Sequence, residues 1–292
     1  MEKNTPKVSV IISLTSFPAR IDTVNQTIET LLNQTTKADK VILWLSQEEF
    51  PDKEAGLPTQ LLNLKENGLT IGWHQRNLRS FEKLIPALRQ YPDAIIVTAD
   101  DDILYPKNWL ELLLKSYYTD PTAIHCHRVH KVGRKNSNIA PYNSWKKNIR
   151  TPSLSYANFA TTGGGVLYPP HCLYKDVLKE EIFMKLCPRA DDIWFWAMAV
   201  LNNTKIQNIK NNIPDLKYVP GTQEAETCLW KTNTGQLAQN DIQMQNVLTA
   251  YPEILPKVLA ALANEPELSD KITRRYYLLG FIPFLKITTI KE

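Results

Sequence analysis

The stretch AIIVTADDD (residues 94–102) joins an apolar, β-branched run to three consecutive aspartates. A short apolar run bounded by polar residues predicts a buried strand. In open α/β sheets, ligands bind at the carboxyl ends of the strands. Adjacent carboxylates repel one another unless a cation or hydrogen-bond donors neutralise them. The stretch therefore predicts a ligand site, with a bound cation, at one edge of an α/β sheet.

The spacing of the three aspartates predicts which of them share a ligand. Alternate residues of an extended segment point to the same side, so Asp100 and Asp102 can face one ion while Asp101 turns aside. Oxygen ligands of this kind suit Mg²⁺ or Mn²⁺, which also takes oxygens from substrate phosphates. The alternative interpretation is a solvated acidic turn before Pro106.

The chain around this stretch alternates strand-like and helical patterns. Residues 8–14, 40–45 and 69–74 are predicted to be strands like residues 94–99, with a helical pattern after the first and third. Such a series predicts an α/β domain with a mainly parallel sheet and helices on both faces. The pattern changes near residue 120, after which residues 122–129 are predicted to be a strand and residues 240–262 two helices broken at Pro252.

Composition excludes several classes of protein. At 292 residues, 43% hydrophobic and 22% charged, the chain is an ordinary globular protein, and a net charge of +4 does not indicate nucleic-acid binding. The four cysteines form no CxxC pair, so neither a disulfide framework nor a zinc site is expected. The polar start MEKNTPK and the absence of a long apolar run predict a cytoplasmic protein.

Two further segments could bind a nucleotide diphosphate. The turn after the first strand carries Thr15 among small hydroxyls, and Arg20 follows it, a combination that can cradle a nucleotide. Neither a P-loop nor a GxGxxG motif is present. Between the third and fourth strands, Arg76, Arg79 and Lys83 provide cations at a strand-to-helix turn, which suits a diphosphate. The alternative for both segments is a solvated loop.

A second acidic pair and a glycine-rich segment occur in the second half. Asp191 and Asp192 open an apolar helix; one of them could cap it, but two exceed what capping requires. A carboxylate at the rim of a site can take the proton from an attacking hydroxyl. The segment TTGGG (residues 161–165) allows backbone to approach a ligand closely, or forms a tight turn into a strand.

Taken in order, these segments resemble the nucleotide-sugar-dependent glycosyltransferases of the GT-A fold, in particular the inverting family-two enzymes of bacterial surface polysaccharide assembly. The matching segments are SLTSFPARI (13–21), RNLRSFEKLIPAL (76–88), TADDDILYP (98–106) and CPRADDIWFWA (187–197). The resemblance implies that residues 1–120 bind the donor and that residues 121–265 bind the acceptor and carry out catalysis. The second half would add helices to the GT-A domain, and residues 266–292 would form a basic and aromatic tail.

The resemblance also implies a role for each candidate residue. Asp102 would bind the metal, Mn²⁺ or Mg²⁺, with Asp100 contacting the ion or the ribose. Asp192 would be the general base of an inverting displacement, with Asp191 as a helix cap or acceptor contact. The nucleotide sugar, expected to be a UDP-sugar, would be lined by Thr15, Arg20, Arg79, Lys83, Asp100, Asp101, Gly164 and Gly165. The acceptor would be a glycan or a lipid-linked glycan, and no nucleic acid is expected.

The end of the chain predicts a peripheral membrane contact. Residues 276–285 are mostly apolar and aromatic and are flanked by Arg274, Arg275 and Lys286. The run is too short to span a bilayer but suits an interfacial anchor over residues 271–286. This would place the protein at the inner face of the cytoplasmic membrane. The alternative is a terminal segment docked on the core.

Two other functions remain open from the sequence. An aspartate-nucleophile phosphohydrolase also carries a DxD motif after an apolar strand, although usually near the N-terminus, and Leu104 stands where a small residue or hydroxyl is expected. A carbohydrate-binding protein on the same fold would need neither metal nor nucleotide, but it would leave Asp191 and Asp192 without a task.

Overall fold

The computed structural model describes residues 8–223 and 238–264 in full, and the backbone of two strands within residues 271–290. The strands, in chain order, are β1 (Val10–Thr15), β2 (Lys40–Ser46), β3 (Leu69–His74), β4 (Ile95–Thr98), β5 (Ile124–Cys126), β6 (Val129–Lys131), β7 (Arg134–Lys135), β8 (Asn138–Ile139), β9 (Ser153–Ser155), β10 (Asn158–Ala160), β11 (Val166–Tyr168), β12 (Ile206–Asn208), β13 (Lys271–Leu278) and β14 (Ile282–Ile290). The α-helices are Val24–Leu32, Thr59–Asn63, Ile85–Gln90, Trp109–Tyr117, Glu180–Leu186, Asp191–Leu201, Gln239–Ala250 and Ile254–Ala263.

One eight-stranded sheet organises the fold, in the order β3-β2-β1-β4-β11-β5-β12-β9. The four strands β3, β2, β1 and β4 are parallel, as is the pair β5 and β12, whereas β11 and β9 run antiparallel to their neighbours. This confirms the predicted α/β class with a mainly parallel sheet flanked by helices. The chain reverses its direction of strand addition between β1 and β4, which is where open α/β sheets bind ligands.

Both faces of the sheet are buried, which explains why its central strands are mostly apolar. Ile11 and Ile96 belong to one core, which includes the buried side chains of the Asp191–Leu201 helix. Their neighbours Ile12 and Val97 belong to the opposite core. Successive side chains of a strand point to opposite faces, so a strand covered on both sides requires apolar residues at every position.

The predicted strand over residues 122–129 is wrong in its extent. β5 ends at Cys126, and the chain then bends before β6, which leaves the main sheet and pairs antiparallel with β10. His127 occupies the bend, where it is fully buried and its Nε2 lies 2.9 Å from the Trp109 carbonyl oxygen. The bend matters because it directs Arg128, the next residue, toward a cavity.

The C-terminal part has the two helices that the sequence predicted, Gln239–Ala250 and Ile254–Ala263, separated at Pro252. Both pack against the Asp191–Leu201 helix. In the predicted tail, β13 and β14 form an antiparallel pair. The side chains of that segment, and residues 265–270, lie outside the described residues. No helix in the described ranges is long and apolar enough to cross a membrane.

Candidate active site

Two neighbouring cavities open at the carboxyl edge of the parallel strands. The first has a volume of about 250 Å³ and is lined by residues of both acidic motifs, including Asp100, Asp102, Asp191 and Asp192. The second, of about 450 Å³, is lined by the turn after β1 and the turn after β3, including Thr15 and Arg79. We call them the acidic cavity and the turn cavity. Arg20, Lys83 and Asp100 line both.

The three aspartates after β4 have different partners. Residues 101 and 102 form a turn rather than an extended segment, so the predicted alternation does not separate Asp101 from Asp102. Asp101 accepts hydrogen bonds from Ser16 Oγ and Arg20 Nη1, both at 2.7 Å. Arg20 Nη1 also lies 2.9 Å from Asp102 Oδ2. One guanidinium therefore holds two adjacent carboxylates. Asp101 is consequently buried against the turn after β1, and it also lines the turn cavity.

Asp102 carries charge that its surroundings do not fully neutralise. Its side chain accepts a hydrogen bond from Gln223 Nε2 at 2.8 Å in addition to the Arg20 contact. Burial, together with the nearby charge of Asp100, still raises the pKa of Asp102 to about 6. The Asp102 carboxylate lines the acidic cavity, so a cation in that cavity would stabilise it.

Lys83 joins the two acidic motifs. Its ammonium is buried, donates to Asp100, and lies 3.1 Å from Thr162 Oγ1 and 3.4 Å from Asp191 Oδ2. Burial alone would lower the pKa of Lys83, but the carboxylates of Asp100 and Asp191 outweigh it and raise the pKa well above its usual range. The sequence predicted a diphosphate ligand for Lys83; in the structure its ammonium is engaged by protein carboxylates.

Asp191 and Asp192 form the first turn of their helix, but neither caps it. The N-cap position is Ala190, without a side-chain hydrogen bond. Both carboxylates instead contact Thr162: Asp192 Oδ1 accepts from its backbone N–H at 2.9 Å, and Asp191 Oδ2 lies 3.3 Å from its hydroxyl. Neither aspartate therefore acts as a helix cap. Both instead connect the Asp191–Leu201 helix to the glycine-rich segment.

The two carboxylates differ in charge compensation. Asp191 has Lys83 beside it, whereas no cation among the described residues forms a salt bridge with Asp192. Burial, and then the neighbouring charge of Asp191, raise the pKa of Asp192 to about 7. A carboxylate with that pKa is suited to accept a proton near neutral pH.

The glycine-rich segment is placed differently from the prediction. Thr161, Thr162 and Gly163 line the acidic cavity, whereas Gly164 and Gly165 do not. A β-carbon at Gly164 would lie 2.4 Å from Arg128 Cβ, and one at Gly165, where φ is +98°, would lie 2.3 Å from the Trp109 indole. These two glycines allow close packing behind the cavity wall, because no larger residue would fit there.

The turn cavity contains the remaining predicted residues. Thr15 Oγ1 lies 2.9 Å from the Trp44 carbonyl oxygen and 3.0 Å from Glu82 Oε2, so its hydroxyl is engaged within the protein. Arg79 is exposed and has φ of +58°, a left-handed conformation that is uncommon for a residue with a side chain. Its Nη1 lies 3.4 Å from the Pro188 carbonyl oxygen. Strained positions of this kind are concentrated at functional sites.

Sequence reasoning missed several residues that line the acidic cavity. They are Arg128, Tyr142, Phe159, Tyr218, Gln223 and Asn240. No local motif marks them, because they come from five separate parts of the chain. Tyr218 and Gln223, for example, reach the site because Val219 N–H donates to the Asp102 carbonyl oxygen at 2.8 Å.

Comparison with known proteins places this geometry in a family. The model of glycosyl transferase family 2 matches residues 10–183, which is more than half of the 292 residues. No curated protein matches the sequence significantly. Among solved structures, residues 1–349 of S. aureus TarS are 12% identical with a TM-score of 0.47, over 84% of this chain and 72% of that one. The UTP-bound UGPase of Acinetobacter baumannii is 10% identical with a TM-score of 0.43, over 89% and 100%.

The family match includes the turn after β1, the turn after β3 and the three aspartates, and it extends as far as the Glu180–Leu186 helix. The Asp191–Leu201 helix lies just beyond the matched residues, but its acidic pair shares the acidic cavity with Asp100 and Asp102. The chain therefore belongs to glycosyl transferase family 2 and is a glycosyltransferase that uses a nucleotide-sugar donor.

Proposed function

We propose that this enzyme transfers a sugar from a nucleotide diphosphate sugar to a glycan or glycolipid acceptor with inversion, and that Asp192 is its general base. The observation that carries the proposal is that Asp192 and the Asp100–Asp102 pair line the same cavity from opposite motifs. A base on one side and a donor-binding carboxylate pair on the other is the arrangement that a single displacement requires.

The assignment of the base rests on the contrast between Asp191 and Asp192. Asp191 is 6% exposed, lies beside Lys83 and hydrogen-bonds to Thr162, so its carboxylate is already committed. Asp192 forms no salt bridge among the described residues, and its pKa is raised to about 7. As the acceptor oxygen forms its bond to the anomeric carbon, Asp192 takes the hydroxyl proton and the nucleotide diphosphate leaves from the opposite face.

The aspartate pair fits a divalent metal. Asp100 and Asp102 both line the acidic cavity, and the burial of Asp102 favours a neighbouring positive charge. In the described part of the chain no group of three or more acidic, histidine or cysteine side chains forms a complete metal cage. Mg²⁺ is typically held by one or two carboxylates plus substrate phosphates, a requirement that this pair meets. A bound Mg²⁺ or Mn²⁺ would neutralise the charge of the leaving diphosphate.

The turn cavity is the proposed place for the nucleotide. Its volume of about 450 Å³ lies within the usual range for small-ligand sites. Arg79, Arg20 and Ser80 line it together with Asp100, which also lines the acidic cavity, so a diphosphate would lie among them if the sugar entered the acidic cavity. We expect a UDP-sugar, with Arg79 as the guanidinium that is exposed to the ligand.

The acceptor and the location are the finer parts of the proposal. We propose a lipopolysaccharide, capsule or other surface polysaccharide as the acceptor, modified at the inner face of the cytoplasmic membrane. The sequence of residues 271–286, with its apolar core and flanking cations, supports a peripheral contact there. The family assignment argues against both the phosphohydrolase and the non-catalytic carbohydrate-binding protein.

A thermal-shift panel of UDP-, GDP-, CMP- and TDP-sugars, each with and without Mn²⁺, tests the donor and the metal together. We expect one nucleotide class to stabilise the protein only with Mn²⁺, and Asp102→Ala to abolish that shift. Asp52→Ala, at an exposed position outside both cavities, is the matched control and should keep it. A metal-dependent shift that persists in Asp102→Ala would overturn the metal assignment.

The stereochemistry of the product tests the base. An α-linked nucleotide sugar should give a β-glycoside, which a proton NMR spectrum of the product distinguishes by the anomeric coupling. An α-linked product would indicate retention and would remove the role proposed for Asp192.

A further inference from the structure

Residues 121–175, the first part of the acceptor half, have a one-sided charge. Between Asp120 and Asp176 the sequence contains no acidic residue. Over the same stretch it carries the cations Arg128, Lys131, Arg134, Lys135, Lys146, Lys147, Arg150 and Lys175. The whole protein has a net charge of only +4, so this segment departs strongly from the balance of the rest. A surface of one sign attracts ligands of the opposite sign.

Most of these cations lie on the surface of the fold, in and around β7 and β8. Arg134, Lys135, Lys146, Lys147 and Arg150 are exposed. Lys147 lies over the ring of Tyr142, with its Nζ 5.3 Å from the ring centroid, and Tyr142 lines the acidic cavity. The basic surface therefore continues to the rim of the cavity that contains Asp192.

Arg128 brings this charge inside the cavity. The bend after β5 and the hydrogen bond from Thr161 N–H to the Arg128 carbonyl oxygen, at 3.0 Å, fix its backbone beside the glycine-rich segment. The absence of a side chain at Gly164 leaves room for its β-carbon. The Arg128 side chain then lines the acidic cavity. Its place is thus set by three separate elements.

Among the described residues, no carboxylate forms a salt bridge with the guanidinium of Arg128. Its Nη1 lies 3.4 Å from Tyr218 Oη, a long contact to a neutral group. Its Nε is buried and has no hydrogen-bond partner among the described residues, none of which forms a salt bridge with Arg128. Two other cations that line the acidic cavity, Arg20 and Lys83, are each paired with a carboxylate. A buried donor without an acceptor calls for an explanation, and a ligand anion supplies one.

Arg128 is also close to the base. Tyr142 links the two: burial and then the charge of Asp192 raise the pKa of its hydroxyl, while the charge of Arg128 lowers it. The exposed ring of Tyr218 stands on the Arg128 side. A sugar held between Tyr142 and Tyr218 could present a hydroxyl to Asp192 and a charged substituent to Arg128.

We propose that the acceptor carries a phosphate or carboxylate group next to the hydroxyl that is glycosylated, and that Arg128 binds this group. The inference rests on the proposed function, because it assumes that the acceptor enters the acidic cavity. A guanidinium binds either oxyanion through parallel N–H donors, so it fixes the orientation of the acceptor as well as attracting it. The surrounding basic surface raises the local concentration of such acceptors.

The test measures binding of three small sugars with UDP and Mn²⁺ present, so that the donor-phosphate site is filled. The probes are methyl β-D-glucuronide, glucose 6-phosphate and neutral methyl β-D-glucoside. Saturation-transfer NMR measures the binding of each. We expect at least one anionic sugar to bind roughly tenfold tighter than the neutral one, as a charge-assisted hydrogen bond provides. Preference for the glucuronide would identify a carboxylate, and preference for the phosphate sugar a phosphate group.

Variants assign the preference to Arg128. Arg128→Gln should bring the ratio of anionic to neutral sugar affinity close to one. Arg128→Lys should retain part of that ratio, and a retained ratio shows that a substituted protein still folds. Arg134→Gln removes a cation of the same basic segment outside both cavities, so it should change the ratio much less than Arg128→Gln does. Equal binding of charged and neutral sugars by the native protein, absence of binding by all three, or an undiminished ratio in Arg128→Gln would each overturn the inference.

Donor binding, measured on the same samples by thermal shift, separates this inference from the proposed function. Donor binding without an anion preference refutes the role of Arg128 and leaves the proposed function intact. An anion preference that depends on Arg128, without Mn²⁺-dependent nucleotide binding, supports an anionic ligand and refutes the proposed donor site.

Discussion

Lys83 Nζ lies 3.4 Å from Asp191 Oδ2 in a buried contact that connects the donor-side and base-side motifs. The same ammonium is paired with Asp100, so a single cation balances carboxylates that are 91 positions apart in the sequence, from residue 100 to residue 191. The active site is therefore an electrostatic unit, and removing its central charge should affect both halves.

Replacing that cation should destabilise the protein. In Lys83→Met the buried carboxylates lose their partner, and removing one member of a buried ion pair typically costs about 3–5 kcal/mol. Because the charge of Lys83 lowers the pKa of Asp192, its loss should raise that pKa further. The loss of unfolding free energy in Lys83→Met should then be larger at pH 8 than at pH 5, because protonated carboxyls need no cation. Urea denaturation at both pH values measures it.

Lys65→Met is the matched control for Lys83→Met. Lys65 is exposed and pairs with Glu54 on the surface. The free energy of unfolding of Lys65→Met should therefore differ from that of the native protein by no more than about 0.5 kcal/mol. Similar losses in the two variants, or a Lys83→Met deficit that does not depend on pH, would contradict the central role of Lys83.

The pH dependence of turnover should report Asp192. Its carboxyl must be ionised to accept a proton, so kcat should rise with pH through the pKa of about 7 and level off above it. Asp192→Asn should reduce kcat by about 10²–10⁴ while nucleotide-sugar binding is retained. Steady-state kinetics from pH 5 to 9 provides the measurement. An Asp191→Asn variant with the larger loss would move the base to Asp191.

Asp192→Asn should also stabilise the fold at alkaline pH. The pKa of Asp192 in the folded protein lies above the ordinary value of 3.8, so ionisation of Asp192 reduces stability as pH rises from about 4 to about 7. Asn cannot ionise, but its side-chain oxygen can still accept from the Thr162 N–H. The Tm of Asp192→Asn should therefore exceed that of the native protein at pH 8, with no difference near pH 4. An unchanged Tm at pH 8 would mean that ionised Asp192 imposes no cost.

Two glycines of one segment should behave differently. Gly163→Ala places a β-carbon 2.5 Å from Asp100 Oδ2, so it should displace that carboxylate and weaken Mn²⁺-dependent nucleotide binding. Gly165→Ala should instead reduce stability by about 1–3 kcal/mol, because φ is +98° and the Trp109 ring occupies the space. Thermal unfolding with and without nucleotide and Mn²⁺ separates the two effects. Loss of nucleotide binding in Gly165→Ala, with loss of stability in Gly163→Ala, would instead place Gly165 at the ligand.

Membrane association through residues 271–286 should depend on both charge and salt. Replacing Arg274 and Arg275 by Glu removes attraction to anionic lipid, to which each basic residue contributes on the order of 1 kcal/mol, and adds repulsion. Co-sedimentation with anionic vesicles should fall in that variant and, for the native chain, in high salt. Circular dichroism checks folding. Equal sedimentation of the two proteins would favour a segment docked on the core.

Local sequence patterns determined the sheet and the positions of the acidic motifs. The apolar runs around Ile11 and Ile96 predict buried strands because a strand covered on both faces needs apolar residues throughout. Strands that are parallel and joined by helices place their carboxyl ends at one edge, so Asp100 and Asp102 could be assigned to a ligand site from sequence.

The tertiary structure alone decided which groups face one another. Lys83 was predicted to bind phosphate; it lines both cavities, and the two acidic motifs converge on its buried ammonium from different elements. Gly164 and Gly165 look like ligand-binding glycines in sequence, yet Arg128 and Trp109 occupy the space beside them. Arg128 itself carries no motif. Its role depends on the bend after β5 and on the absence of a partnering carboxylate among the described residues, and such long-range pairings are not encoded in any local pattern.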